Sequence, residues 1–136
     1  EIDLAARVWT IPAERMKAGR EHRIPLSDAA VALLRQQEQV LLAGVNLVFP
    51  SVRDHKPLSD MTLTAVLRRM QRNDLTVHGF RSTFRDWAAE ATDYPQEMAE
   101  MALAHVVSNK VEAAYRRGDM LEKRREMMQK WAEFIL

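Results

Sequence analysis

From Ser27 onward the apolar side chains of this 136-residue chain recur three and four positions apart, the period of helices that bury one face. The first 26 residues follow another rhythm. There Val8-Trp9-Thr10-Ile11 and His22-Arg23-Ile24-Pro25-Leu26 are rich in β-forming residues and are divided by a polar segment containing Gly19, which predicts a β-hairpin. The expected fold class is therefore α+β and mainly α-helical, with a small N-terminal β-hairpin or sheet packed on helices. A chain of this length makes one domain, or a piece of one, and can bury roughly two-thirds of its unfolded surface.

Ser27 is placed to cap a helix from Asp28 to about Gln37, with Ala30, Val31, Leu33 and Leu34 inside it. Leu47-Val48-Phe49, ended by Pro50-Ser51, reads as a short buried strand. Ser59-Asp60 opens a second helix with Leu63, Val66, Leu67 and Met70 at helical spacing, ending in the basic cluster Arg68, Arg69 and Arg72. Thr76 caps a third, Val77 to about Glu90, whose apolar face is Phe80, Phe84, Trp87, Ala88 and Ala91. Asp93-Tyr94-Pro95 starts a fourth that runs out near Ala104-His105. Ser108 can cap a fifth, Gly118 interrupts it, and the capping-box pattern Asp119-x-x-Glu122 starts a sixth toward Leu136.

Several chemistries are excluded early. There is no cysteine, hence no disulfide scaffold, thiol nucleophile or cysteine-based zinc site. None of the four glycines has the spacing of a dinucleotide fingerprint or a phosphate loop. The four histidines, at 22, 55, 78 and 105, lack metal-ligand spacing, so no metal or cofactor is expected. No apolar run approaches the roughly 18 residues of a membrane span and nothing resembles a signal peptide; with cysteine unused, the expected setting is a bacterial-type cytoplasm or another reducing compartment. The net charge of +1 does not advertise nucleic acid, yet 15 of the 20 basic residues are Arg, the type suited to bidentate phosphate contacts. The start at Glu1-Ile2-Asp3-Leu4, without an initiator Met, reads as a fragment cut from something longer.

Three segments can carry chemistry. In His78-Gly79-Phe80-Arg81-Ser82-Thr83-Phe84-Arg85, positions 78, 81 and 85 share a helix face near an N-terminus, where the macrodipole favours a phosphate. The plainer reading is a solvated face, with Arg85 paired to a carboxylate and His78 capping. Leu103-Ala104-His105 is followed ten residues on by Tyr115, flanked by Ala113, Ala114, Arg116 and Arg117. A phenol with a pKa near 10 needs a cation or base close by to attack at neutral pH; the plainer reading is a half-buried tyrosine and a packing histidine. Arg15-Met16-Lys17-Ala18-Gly19-Arg20-Glu21-His22-Arg23 is either an ordinary polar turn or a finger that reaches a nucleic-acid backbone and offers a lysine proton.

Their order along the chain resembles the catalytic domain of tyrosine recombinases, specifically phage-type integrases. The matching stretches are Trp9 to Lys17, His22-Arg23-Ile24-Pro25-Leu26-Ser27, His78-Gly79-Phe80-Arg81-Ser82-Thr83-Phe84, Leu103-Ala104-His105 and Ala114-Tyr115-Arg116-Arg117-Gly118-Asp119. The resemblance implies that Tyr115 attacks a DNA phosphodiester and forms a 3′-phosphotyrosyl bond. Arg81 would hold the non-bridging oxygens, His78 and His105 would donate hydrogen bonds or shuttle the tyrosine proton, and Lys17 would protonate the 5′-hydroxyl leaving group. The partner it implies is double-stranded DNA, and neither ATP nor a metal would be needed because the covalent bond stores the energy of the broken one.

Two departures accompany the resemblance. The family's first-motif Arg has no match before Lys17, since Arg7 sits too close to the hairpin strand. The chain is accordingly expected to be a partial catalytic domain over residues 1–136, lacking that Arg and the N-terminal DNA-binding domains. Losing one such charge stabiliser costs about 10²–10³ in rate, so alone it should be inactive or nearly so. The second departure is Ala104, where many members have Gly. The apolar end, Met127 to Leu136, either docks on a neighbouring protomer, giving self-association on DNA, or packs on its own domain. The rival functions are a non-catalytic DNA-binding module of the same fold, with Arg68, Arg69 and Arg72 on phosphates, and a type IB topoisomerase.

Overall fold

A computed structural model describes residues 1–41, 44–52, 54–105 and 118–136. Among these it contains a three-stranded antiparallel sheet and five α-helices. The expectations for a fifth helix capped by Ser108, and for Tyr115 within it, lie outside the described residues. By internal contacts the chain divides into two compact units, one of residues 1–31 with 84–136 and one of residues 32–83.

The first unit begins with the sheet. β1 (Ile2–Asp3) pairs with β2 (Val8–Ile11), which pairs in turn with β3 (His22–Pro25) in the register Val8–Pro25, Trp9–Ile24, Thr10–Arg23 and Ile11–His22. The predicted hairpin is therefore present, and β1 is an addition too short to announce itself in the sequence. Directly opposed residues share a face of the sheet, so Val8 and Pro25, both buried, lie together while Thr10 and Arg23 extend that face.

α1 (Asp28–Val40) starts where expected, with the Ser27 Oγ accepting from the Ala30 N–H at 3.3 Å. α3 (Gly79–Glu90), α4 (Gln96–Ala102) and α5 (Leu121–Ile135) supply the core of the first unit: Phe84, Trp87, Ala88, Met98, Ala99 and Met127 are buried together. Trp131 of α5 closes this cluster, its ring meeting Phe84 edge-on at 5.3 Å and Trp87 at 5.1 Å. The C-terminal helix thus packs on its own unit, with Phe134, Ile135 and Leu136 left exposed beyond it. α5 also lies against β3.

The second unit contains most of α1, then α2 (Thr62–Arg69) and the first turn of α3. Leu67 is its one buried hydrophobic side chain among the described residues; Leu63 and Met70, expected on the same inner face, are exposed. Residues 47–49 form no strand. Phe49 is exposed, and the nearby extended pairing is a single bridge between Pro50 and Pro57. A three-residue apolar run bounded by proline has too few backbone donors and too little length to hold a ladder.

Candidate active site

α3 begins one residue after His78. The Thr76 Oγ1 accepts from the Gly79 N–H at 3.0 Å, which is the expected N-cap shifted to a helix that starts at 79 rather than 77. A Cβ on residue 79 would meet that oxygen at 3.2 Å, so glycine keeps the cap from being crowded. The Arg81 N–H donates to the His78 carbonyl at 3.0 Å, fixing the two residues in one turn. Both side chains are exposed, and this first turn carries no acidic residue to compete with an anion for its N–H groups and dipole.

Arg85, one turn further along α3, does what the plainer sequence reading allowed: it binds a carboxylate. Its Nε donates to the Glu100 Oε1 of α4 at 2.6 Å. The other oxygen of Glu100 lies 2.5 Å from the His105 Nδ1. This contact follows from how α4 ends. Ala104 adopts the left-handed conformation (φ +55°), the His105 N–H donates to the Glu100 carbonyl at 2.9 Å, and the Ala104 N–H donates to the Met101 carbonyl at 3.1 Å. These two bonds constitute a Schellman motif. It folds residue 105 back over residue 100, so the backbone and the side chain of Glu100 hold His105 together. The Arg85 guanidinium first and the imidazole second hold the Glu100 carboxyl below the usual carboxylate range, against a smaller opposing effect of burial.

Lys17 stands where the sequence placed it, exposed at the tip of the β2–β3 hairpin. A short 3₁₀ turn, Ala13–Arg15, leads into a second turn in which the Gly19 N–H donates to the Met16 carbonyl at 2.9 Å. Gly19 there has φ +60°, a conformation that costs glycine least. Arg15, at the base of the tip, binds Glu1 at 2.5 Å, and the Trp9 indole donates to the same carboxylate at 3.2 Å.

Just after the tip, β3 is tied to the start of α5. Asp119 receives Arg23 through two bonds of 2.8 Å, while Arg124, buried to 1 % exposure, donates from Nε to the Asp119 carbonyl at 2.8 Å. Burial, the largest single effect, pushes the Asp119 carboxyl up, but the Arg23 guanidinium, the Leu121 N–H and Arg124 together outweigh it and the net effect is a lowered pKa. The predicted capping box does not form: Asp119 accepts from the Leu121 N–H at 3.2 Å rather than from that of Glu122, and Glu122 turns to Arg125 at 2.9 Å.

The first unit thus places Lys17 and His105, and the second His78 and Arg81; Tyr115 lies outside the described residues. Glu100 went unnoticed in the sequence. The sequence places the helix end near Ala104-His105, but with Ala rather than Gly at 104 it does not announce the left-handed turn that brings His105 back onto Glu100.

The phage integrase family matches residues 1–122. The chain is 42 % identical over 137 residues to the prophage integrase IntA of Escherichia coli strain K12, covering 99 % of this chain and 33 % of that protein. It is 38 % identical to the prophage integrase IntZ of the same strain, covering 98 % of this chain and 33 % of the relative, and 34 % identical to the integrase of Enterobacteria phage P4, covering 99 % and 34 %. No solved structure matches the chain. The chain belongs to the phage integrase family, and it spans about a third of the length of these relatives. No described helix is long and apolar enough to cross a membrane.

Proposed function

We propose that this chain is part of the catalytic domain of a tyrosine recombinase, a cytoplasmic protein that integrates or excises DNA by cutting and rejoining double strands. The Tyr115 oxygen attacks the phosphorus, the bond from phosphorus to the 5′ oxygen breaks, and the DNA 3′ end is held on the tyrosine. Lys17 gives the departing 5′ oxygen its proton. Arg81 stabilises the charge that grows on the non-bridging oxygens, with His78 and His105 donating to them or carrying the tyrosine proton. No metal or nucleotide enters this scheme. The exposed apolar end of α5, Phe134 to Leu136, provides self-association on DNA.

The observation that carries the reading is the ordered series of Lys17, His78, Arg81, His105 and Tyr115 in a chain that matches the phage integrase family over residues 1–122. A second point supports the choice of nucleophile. Of the two tyrosines in the chain, Tyr94 is packed against the core of the first unit, and burial pushes its phenol above the usual range, the reverse of what an attacking oxygen needs. A suicide substrate built on the attachment site, offered to the intact protein that carries this chain, should trap a covalent protein–DNA adduct. Tyr115→Phe should abolish it. An adduct that survives this change removes Tyr115 from the role, and no adduct with the unaltered protein leaves a DNA-binding module without strand cleavage.

A further inference from the structure

The carboxylate of Glu100 joins two helices to one imidazole, and its surroundings differ from those of a surface ion pair. The Arg85 and Glu100 side chains keep 23 % and 25 % of their exposure, whereas His105 keeps 46 %. The sheltered end of the chain is the carboxylate and the open end is the ring. One oxygen is taken by Arg85 at 2.6 Å and the other by His105 at 2.5 Å, so rotation about the last bond of Glu100 would break both contacts. The backbone bond from His105 to the Glu100 carbonyl fixes the same pair a second time.

An ionised carboxylate only accepts hydrogen bonds. The imidazole nitrogen beside it must therefore carry the hydrogen. We infer that Glu100, braced by Arg85, is a positioning residue that commits the His105 ring to its Nδ1–H form and leaves Nε2 as the working nitrogen. In the neutral ring Nε2 then has an open lone pair and takes up a proton. Once it has done so, the ring carries a positive charge that faces the Glu100 carboxylate, and Nε2–H donates to an anionic oxygen. Both abilities serve the role proposed for His105 above, and the catalytic part of the inference rests on that reading. A bridge between α3 and α4 with no further role would stabilise the helices without setting the ring.

Nitrogen-15 spectra of histidine-labelled chain, recorded at about pH 9 where ordinary histidines are neutral, separate the alternatives without DNA. The His105 resonances, assigned by their loss in His105→Gln, should show the Nδ1–H form, and Glu100→Gln should return the ring toward the Nε2–H form that free histidine prefers. An Nε2–H ring in the unaltered chain overturns the inference, and that single spectrum decides even if the variant does not fold. A tautomer unchanged by E100Q overturns it as well. In the intact protein E100Q should slow formation of the DNA adduct at least about 10-fold, as loss of a carboxylate that fixes an imidazole tautomer does elsewhere; an unchanged rate overturns the catalytic part. The tautomer is read in the absence of DNA, so it stands or falls separately from Tyr115→Phe, which tests the strand-cleavage reading.

Discussion

Ala104 holds a backbone conformation in which its own Cβ is a burden. At φ +55° a non-glycine residue costs roughly 1–2 kcal/mol, and the two bonds that close α4 require that hand. Ala104→Gly is expected to raise unfolding stability by about 1 kcal/mol in urea titration, with the His105–Glu100 contact kept. The carboxylates make a second prediction at this scale. Glu100 and Asp119 both have lowered pKa values in the folded chain, so their contribution is complete above the unfolded carboxylate range near pH 4 and is lost as pH falls through the folded values. Melting temperature should hold between about pH 7 and 5 and drop below about pH 4, and the pair of substitutions E100Q and D119N should flatten that drop. The sequence made Thr76, His78, Arg81 and Lys17 legible because each carries its own signal: a cap, a fixed spacing, a hairpin tip. Glu100 carries none. Its importance comes from a turn of backbone that the residue at 104 does not advertise.

Among the elements, α5 does the most to hold the first unit together, reaching the aromatic core with one face and β3 with another. Met127 has 0 % exposure in that core, and Met127→Ala should cost about 3 kcal/mol in thermal or urea unfolding, within the range for deleting a buried side chain of this size. Asp119→Ala should cost about 3 kcal/mol as well, since it strips Arg124 of a countercharge where the guanidinium is shut away from water. A loss under 1 kcal/mol would show that the Asp119 carbonyl alone satisfies Arg124. Helical periodicity located α3 because its inward residues, Phe84, Trp87 and Ala88, are apolar groups at regular steps, whereas α4 was marked by Asp93-Tyr94-Pro95 at its start. The same periodicity misplaced Phe80, which is exposed, because a helix period says which residues align and not how far along the helix a neighbour covers them. Arg124 was illegible for the opposite reason. A buried arginine looks like a surface one until its partner, here Asp119, is seen.

At the scale of the molecule, the fold class followed from β-rich runs before Ser27 and a helical period after it, and the sheet and helices occupy those regions. Which segments would form each compact unit was not legible, because α1 and α3 each pass from one unit into the other. The exposed terminus offers a test at this level. Removing residues 134–136 takes away only exposed side chains, with Met127 and Ala132 still buried, and the loss of the Phe134–Trp131 stacking should lower the melting temperature by no more than a few degrees. The same deletion should weaken assembly of the intact protein on DNA, read by sedimentation, and unchanged assembly would remove this end from the interface.

The ties between the first 28 residues and the α5 region join residues very far apart in the chain: Arg23 to Asp119, the Asp28 N–H to Gln129, and Arg125 to the Arg7 carbonyl, separations of 96, 101 and 118 positions. During synthesis at about 5–20 residues per second, the N-terminal strands therefore wait roughly 5–20 s for the helix that secures them. A three-stranded sheet this small has little to stabilise it meanwhile. Nascent chains stalled before residue 119 should remain open to protease in the hairpin, so the ribosome releases this half of the domain before it can complete it.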